Sequence, residues 1–163
     1  MTRRAPRDRR AADVAIRCGR ADDAAAAAEL ARQLGYPTTA AQAGERLRRA
    51  AQTPDAVVLV AEAAAGRVVG WAHAFGVYLL ESEPYAELGG LVIDEGERGR
   101  GVGRALVAAV ESWAREGGFA SVRLRSNVVR ERAHAFYERL GYERVKTQHC
   151  FRRELRGPER QPR

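Results

Sequence analysis

A glycine-rich loop between an apolar segment and a helical pattern has the composition of a phosphate-binding site. Residues 88–93 form a short apolar run rich in branched side chains, which predicts a buried strand. Apolar residues then recur at helical spacing from about residue 102 to the pair Gly117-Gly118, which predicts a helix. A helix N-terminus offers free backbone N–H groups and the positive end of the helix dipole, and both attract an anion. We therefore expect a pyrophosphate to contact the loop residues Arg98, Gly99, Arg100, Gly101, Val102, Gly103 and Arg104.

The spacing of the glycines excludes two common nucleotide-binding loops. A dinucleotide fingerprint, G-x-G-x-x-G, placed on Gly101 and Gly103 would need a glycine or alanine where Leu106 stands. A P-loop that starts at Gly96 would need a lysine followed by serine or threonine, but the sequence has Val102 and then glycine. Neither pattern fits these glycines, so we expect the loop to be of a different kind.

The pattern that does fit is Arg98-x-x-Gly101-x-Gly103, between a strand and a long helix. It resembles the signature of the GNAT superfamily of acyl-CoA N-acyltransferases, Arg/Gln-x-x-Gly-x-Gly/Ala. The resemblance covers roughly residues 14–155 and is strongest from Glu87 to Tyr142. It implies an N-acetyltransferase that moves an acetyl group from acetyl-CoA to a primary amine by direct transfer in a ternary complex.

A second motif supports the same family. Asn127 is followed by Phe136-Tyr137 and then by Gly141-Tyr142, which is similar to the family's Asn and Phe-Tyr-x-x-x-Gly-Phe/Tyr. Two independent motifs at the family's separation make a coincidence improbable.

The order of the predicted elements, β-α-α-β-β-β-α-β-α-β, is that of the GNAT fold. This is an α/β architecture (an α+β mixed sheet) in which helices flank a central mixed β-sheet. We predict a polar loop over residues 81–84. Strands are predicted at 14–18, 57–61, 68–78, 88–93 and 121–125, with one or two more over 145–155; helices are predicted at 22–34, 39–51, 102–117 and 133–140.

The resemblance also implies roles for individual residues. The strand that contains Leu91, Val92 and Ile93 is expected to splay from its neighbour, so that its free backbone groups bind the pantetheine arm and the thioester oxygen. Asn127 is expected to bind the pantetheine or to order the adjacent loop, or else to cap a helix. Tyr137 resembles the family's general acid, which protonates the departing thiolate; the alternative is a core tyrosine on an apolar helix face.

The general base is less sharply defined by the sequence. Glu87 matches a position that holds the catalytic glutamate in some family members, but it could also be a solvated charge at a strand end. Other members carry an acid two residues later, where this chain has Gly89. His73 could reach the acceptor side of the site, or it could be structural. The histidines are dispersed, and we expect no metal site.

Length and charge place these motifs in one domain. The chain has 163 residues and a formal charge of +7, and much of that charge lies in its two ends. We predict a disordered arginine-rich arm over 1–12, a single N-acetyltransferase domain over 13–156 and a flexible tail over 157–163. No apolar run approaches the length of a membrane span, and residues 1–10 lack the hydrophobic core of a signal peptide. We therefore expect a cytoplasmic protein of bacterial type.

Three alternatives remain at this stage. The chain could be an acyl-CoA-binding module or regulator with little catalysis, or an acetyltransferase for protein N-termini or lysines rather than for small molecules. It could also bind nucleic acid through its arm, although the nearly neutral body and the absence of aromatic residues from the arm count against this. Partners other than acetyl-CoA and an amine are not expected, apart from a possible second copy of the chain.

Overall fold

The computed structural model describes residues 13–155, which form two compact units, 13–125 and 126–155. The predicted arm over 1–12 and the predicted tail over 157–163 lie outside the described residues. The first unit contains the mixed sheet and three of the helices, and the second contains the remaining helix.

The first unit confirms the predicted order of strands and helices. Its five strands lie in the order β1-β2-β3-β4-β5. All neighbours are antiparallel except β4 and β5, which run parallel, so the sheet is mixed. The elements are β1 (Ala15–Cys18), α1 (Ala24–Gln33), α2 (Ala40–Gln52), β2 (Ala56–Glu62), β3 (Val68–Leu79), β4 (Ser82–Ile93), α3 (Val102–Glu116) and β5 (Val122–Leu124).

The core of this unit lies between α3 and the sheet. Branched side chains recur along one face of α3 and are fully buried, and small residues on the strands let the helix approach closely. Burial of a side chain such as Leu106 stabilises the fold by about 2 kcal/mol. The buried residues on the two sides are Val102, Leu106, Val107, Val110 and Ala114 on α3, and Ala72, Ala74, Ala86 and Leu88 on the strands. Val60, Val69 and Val92 are buried on the other face of the sheet, the face of Trp71. The start of α3 is therefore held firmly against the sheet.

The connection between β3 and β4 is shorter than predicted. We expected a polar loop over residues 81–84, but β3 continues to Leu79 and β4 begins at Ser82, and these two residues pair. Pro84 is accommodated within β4, where its carbonyl accepts a hydrogen bond from the Ala120 N–H at 3.1 Å. The sequence did not predict a strand here because the segment is polar. Its extended conformation comes from pairing with β3, which sequence polarity does not indicate.

The second unit contains α4 (Glu131–Arg139), which ends before Gly141 as predicted. The prediction of one or two strands over 145–155 is wrong, because residues 143–155 have no regular secondary structure. A strand needs a partner for its backbone groups, and none of the segments in residues 126–155 is assigned as a strand. Within residues 13–155, no helix combines the length and the apolar character that crossing a membrane requires.

Candidate active site

The loop after β4 enters α3 through two glycines in the left-handed conformation. Gly99 has a φ of 75°, and Gly101, which precedes the first residue of α3, has a φ of 86°. A side chain at either position would strain the backbone. The first bond within the helix joins the Ala105 N–H to the Gly101 carbonyl at 3.0 Å. The three N–H groups before it therefore have no acceptor within the helix, which is the geometry of an anion site.

Three of the predicted loop residues form the first turn of α3. Val102 and Gly103 are buried, whereas Arg104 is exposed. Because Gly103 has no side chain, a ligand at the helix end could approach its backbone N–H closely. The prediction of a glycine loop followed by a helix N-terminus is thus confirmed as local structure.

Ion pairs shape the charged side chains of the loop. The Arg98 Nε donates a hydrogen bond to the Ile93 carbonyl at 3.1 Å, so this side chain ties the loop to the end of β4. Arg100 lies 2.6 Å from one carboxylate oxygen of Glu97, and Arg67 lies 2.5 Å from the other. Glu97 therefore orients two guanidinium groups beside the loop. The sequence gives no signal for the Arg67 contact, because that residue lies in a distant turn.

A glutamine at the end of α1 also holds the loop. The Gln33 Nε2 donates to the Asp94 Oδ2 at 3.3 Å, and the Gln33 Oε1 accepts a hydrogen bond from the Glu95 N–H at 3.2 Å. Asp94 in turn accepts from the Gly96 N–H at 3.0 Å through its other oxygen. The amide of Gln33 thus bridges α1 and the turn that begins the loop, across more than sixty residues of sequence. Sequence analysis missed Gln33 because no local pattern marks such a contact.

Replacement of Gln33 by methionine is expected to weaken coenzyme A binding by up to roughly thirtyfold. The variant keeps the volume of the side chain but removes both hydrogen bonds, and each contributes about 1 kcal/mol. Isothermal calorimetry with coenzyme A measures the change. Gln52→Met at the exposed end of α2 is the matched control and should bind as the wild type does. Equal affinities for the two variants would show that the bridge does not position the loop.

β4 separates from β5 before it reaches this loop. The parallel ladder ends where Leu88 pairs with Leu124, the last residue of β5. Beyond that point, the β4 residues 90–93 pair with β3 and with no other strand of residues 13–125. Leu91, Val92 and Ile93 thus lie outside the β4–β5 ladder, and the Ile93 carbonyl accepts the hydrogen bond from Arg98. The ladder stops here because β5 ends at Leu124, and the binding of a pantetheine arm along this edge stays a prediction.

Glu87 is buried, which rules out the interpretation of a solvated charge at a strand end. It lies in the middle of β4 and its residue surface is only 5% exposed. The Arg125 Nε donates to the Glu87 Oε1 at 2.8 Å, directly after β5. A carboxylate at this depth needs such a partner because an unpaired buried charge is very unfavourable. Arg125 is a second contact that the sequence alone did not indicate.

The remaining predicted residues belong to the second unit. Asn127 is not the N-cap of α4; its side-chain oxygen accepts a hydrogen bond from the Val129 N–H at 3.2 Å and shapes the turn before the helix. Tyr137 lies on α4 and packs edge-on against the rings of Phe136 and Tyr142. Burial raises the pKa of Tyr137 to about 12, and the charge of Arg130 partly opposes this shift. Its hydroxyl is therefore protonated at neutral pH.

Potential metal ligands do not converge in the part of the chain that the structure describes. Within residues 13–155, no three side chains of the His, Cys, Asp and Glu types are grouped so that they could hold an ion. The candidate site thus consists of a backbone anion loop, an open strand edge and a small number of polar side chains.

A mixed sheet that opens between two parallel strands, beside a glycine loop at a helix N-terminus, defines the class of acyl-CoA N-acyltransferases. Comparison with known proteins agrees. The sequence profile of the acetyltransferase (GNAT) family matches residues 24–142. The chain is also 36% identical over 138 residues to an aminoglycoside N(6')-acetyltransferase type 1 of Stenotrophomonas maltophilia, an alignment that covers 82% of this chain and 88% of that protein.

Solved structures show the same fold. The aminoglycoside N-acetyltransferase AAC(6')-Iy in complex with CoA superposes with a TM-score of 0.78 at 21% identity, over 90% of this chain and 98% of that one. A putative acetyltransferase from Agrobacterium tumefaciens str. C58 superposes with a TM-score of 0.75 at 27% identity, over 85% and 99% of the two chains. The chain belongs to the GNAT acetyltransferase family, and it is an N-acetyltransferase with acetyl-CoA as its cosubstrate.

Proposed function

We propose that this enzyme acetylates the 6′-amino group of an aminoglycoside by direct transfer within a ternary complex. The observation that carries the proposal is the 36% identity, over most of both chains, to a protein named for that reaction. The charge of the sheet unit supports it. Aminoglycosides are polycations, and acidic side chains outnumber basic ones in residues 13–125, so the positive charge of the whole chain does not oppose their approach.

The coenzyme is proposed to bind along the open edge of β4 and the loop that follows. Backbone N–H groups of the loop 98–104 and the dipole of α3 would hold the pyrophosphate, with positive charge from the arginines beside it. The backbone of residues 91–93 would hydrogen-bond the pantetheine arm and the thioester oxygen. Residues 91–93 lie outside the β4–β5 ladder, and the first N–H groups of α3 have no acceptor within the helix. Asn127 is proposed to bind the pantetheine as well, and Tyr137 to protonate the thiolate.

Glu87 is proposed as the carboxylate that faces the acceptor amine. Its Oε1 accepts the hydrogen bond from Arg125, which leaves its other oxygen for a ligand. A buried negative charge attracts the ammonium form of the acceptor and can hold the amine beside the open strand edge. Such positioning contributes to the rate because the reacting nitrogen and carbonyl carbon must meet at close range.

A pair of matched aminoglycosides tests the acceptor. Neomycin B carries an amine at the 6′ position, and paromomycin carries a hydroxyl there. We expect thiol release from acetyl-CoA with neomycin B, a singly acetylated product by mass spectrometry, and much slower turnover with paromomycin. Equal turnover of the two would overturn the 6′ assignment. Turnover of peptide amines alone would overturn the aminoglycoside acceptor and leave the acetyltransferase activity in place.

A further inference from the structure

Three aromatic side chains form a row on one face of β3, directly beside Glu87. Trp71, His73 and Phe75 alternate along the strand and therefore share a face. Phe75 pairs with Glu87 across the β3–β4 ladder, so the glutamate lies on that face as well. His73 pairs with Gly90 two positions along β3. The imidazole and the carboxylate thus share one surface of the sheet, and Phe75 neighbours both of them.

Two glycines on β4 leave room for this row. The ladder shifts between His73 and Ala74, which makes Gly89 the extra residue of a bulge in β4. A Cβ at Gly89 would lie 2.7 Å from the ring of Phe75, and one at Gly90 would lie 2.8 Å from the ring of Trp71. The rings of Phe75 and Trp71 therefore cover the two glycines of the bulge. His73 lies between these two residues along β3. A side chain at position 89 would have to displace the ring of Phe75.

His73 differs from an ordinary core histidine in its lack of hydrogen bonds. It is partly buried and its ring lies 5.5 Å from that of Phe75. Within residues 13–155, neither ring nitrogen forms a hydrogen bond with another group. Among the described residues, only Ser82 Oγ is a buried side-chain polar atom without a partner. The unpaired ring nitrogens of His73 therefore reach the surface, where an acceptor amine can contact them. Burial also lowers the pKa of His73 below its usual value, which keeps the ring neutral and its lone pair available at neutral pH.

His73 lies on β3, next to the part of β4 that does not pair with β5. Its partner Gly90 begins the stretch of β4 that has left the β5 ladder. The inference that follows depends on the proposed binding of the thioester along this edge. An amine that attacked the thioester from the aromatic face would approach between His73 and Glu87.

We propose that His73 is the general base of the acetyl transfer. The amine nitrogen forms a bond to the thioester carbonyl carbon, and the carbon–sulfur bond breaks with its electron pair on sulfur. The proton that the nitrogen loses passes to a ring nitrogen of His73, and the thiolate takes a proton from an acid of the enzyme or from water. Acetyl-CoA and the amine thus become the amide and free coenzyme A. Glu87 retains its role as the anionic group that attracts the acceptor.

The test replaces His73 by glutamine and, separately, by alanine. We expect kcat to fall roughly 10²–10⁴-fold in His73→Gln, the range for loss of a positioned base, with little change in the KM for acetyl-CoA. Imidazole added to His73→Ala should restore part of the activity, which a structural role would not produce. His149→Gln, at an exposed histidine outside regular structure, is the control and should keep full activity. A kcat for His73→Gln within about threefold of wild type would overturn the proposal.

A measurement on the wild-type enzyme covers the case in which both variants fail to fold. The protein has three histidines, His73, His134 and His149, and all three lie within residues 13–155. NMR of protein labelled with ¹⁵N-histidine resolves their ring nitrogens, and the other two can be assigned from their own glutamine variants. Addition of an amine that the wild type acetylates, with free coenzyme A present, should shift the His73 signals. Unshifted His73 signals under saturating amine would overturn the proposal, whereas a wild type that acetylates no aminoglycoside would overturn only the proposed acceptor.

Discussion

Glutamate in place of Gly103 is expected to weaken coenzyme A binding at least about 100-fold, which corresponds to 2.7 kcal/mol or more. Gly103 is buried in the first turn of α3, where the helix dipole and free N–H groups favour an anion. The new carboxylate would compete with the pyrophosphate for those N–H groups and repel its negative charge. Calorimetry with coenzyme A measures the loss, and circular dichroism with thermal melting verifies that the variant is folded.

Two further variants separate charge from volume. Ala108 is exposed on the same helix, so Ala108→Glu adds an identical side chain away from the loop and should bind coenzyme A normally. Gly103→Ala adds only a methyl group and should lose less affinity than the glutamate variant. A folded Gly103→Glu enzyme with wild-type affinity would remove the anion-binding role of this loop.

The loop and α3 could be predicted because their structure depends on neighbouring residues. The periodic apolar face of α3 is what buries Leu106 and Val110 against the sheet, and the same period is visible in the sequence. The backbone at Gly101 is left-handed, a conformation that favours glycine, and the glycine is visible in the sequence. Local geometry of this kind can be predicted because it depends on the types of residues that are close in the sequence.

Contacts between segments that are distant in the sequence could not be predicted in this way. The Gln33 bridge to the loop and the pairing of Arg125 with Glu87 each join residues far apart in the chain, and glutamine or arginine is ordinary at any surface position. The bulge at Gly89 arises from the register between β3 and β4, which sequence periodicity does not specify at single-residue precision. The face that His73 shares with Glu87, on which the proposed base rests, likewise depends on this register.

The segment 145–155 shows the opposite error. Its alternation of apolar and polar residues is typical of a strand, yet residues 143–155 are not in a strand. Alternation states which faces a strand would have, but hydrogen bonding to a partner determines whether it forms. The pattern alone could not supply that partner.

Phenylalanine in place of Tyr137 is expected to reduce kcat by roughly 100-fold, the lower end of the range for loss of a general acid. The lower end follows from the environment of the phenol. Burial raises its pKa to about 12, so the hydroxyl always holds a proton, but its transfer to a thiolate whose thiol has a pKa near ~8.5 is uphill by roughly 5 kcal/mol. The phenol can therefore assist only while hydrogen bonds or the charge of Arg130 stabilise the developing phenolate.

A matched hydroxyl deletion distinguishes acid catalysis from packing. The ring of Tyr142 lies 5.8 Å from that of Tyr137, so Tyr142→Phe makes the same chemical change in the same aromatic cluster and should leave kcat nearly unchanged. Both variants keep the ring contacts, and the KM for acetyl-CoA should move little in either because the pyrophosphate loop is intact. Turnover of Tyr137→Phe within about twofold of wild type at saturating substrate would eliminate the general-acid role. A loss of coenzyme affinity with kcat preserved would instead make Tyr137 a binding residue, and the thiolate would then have to take its proton from water.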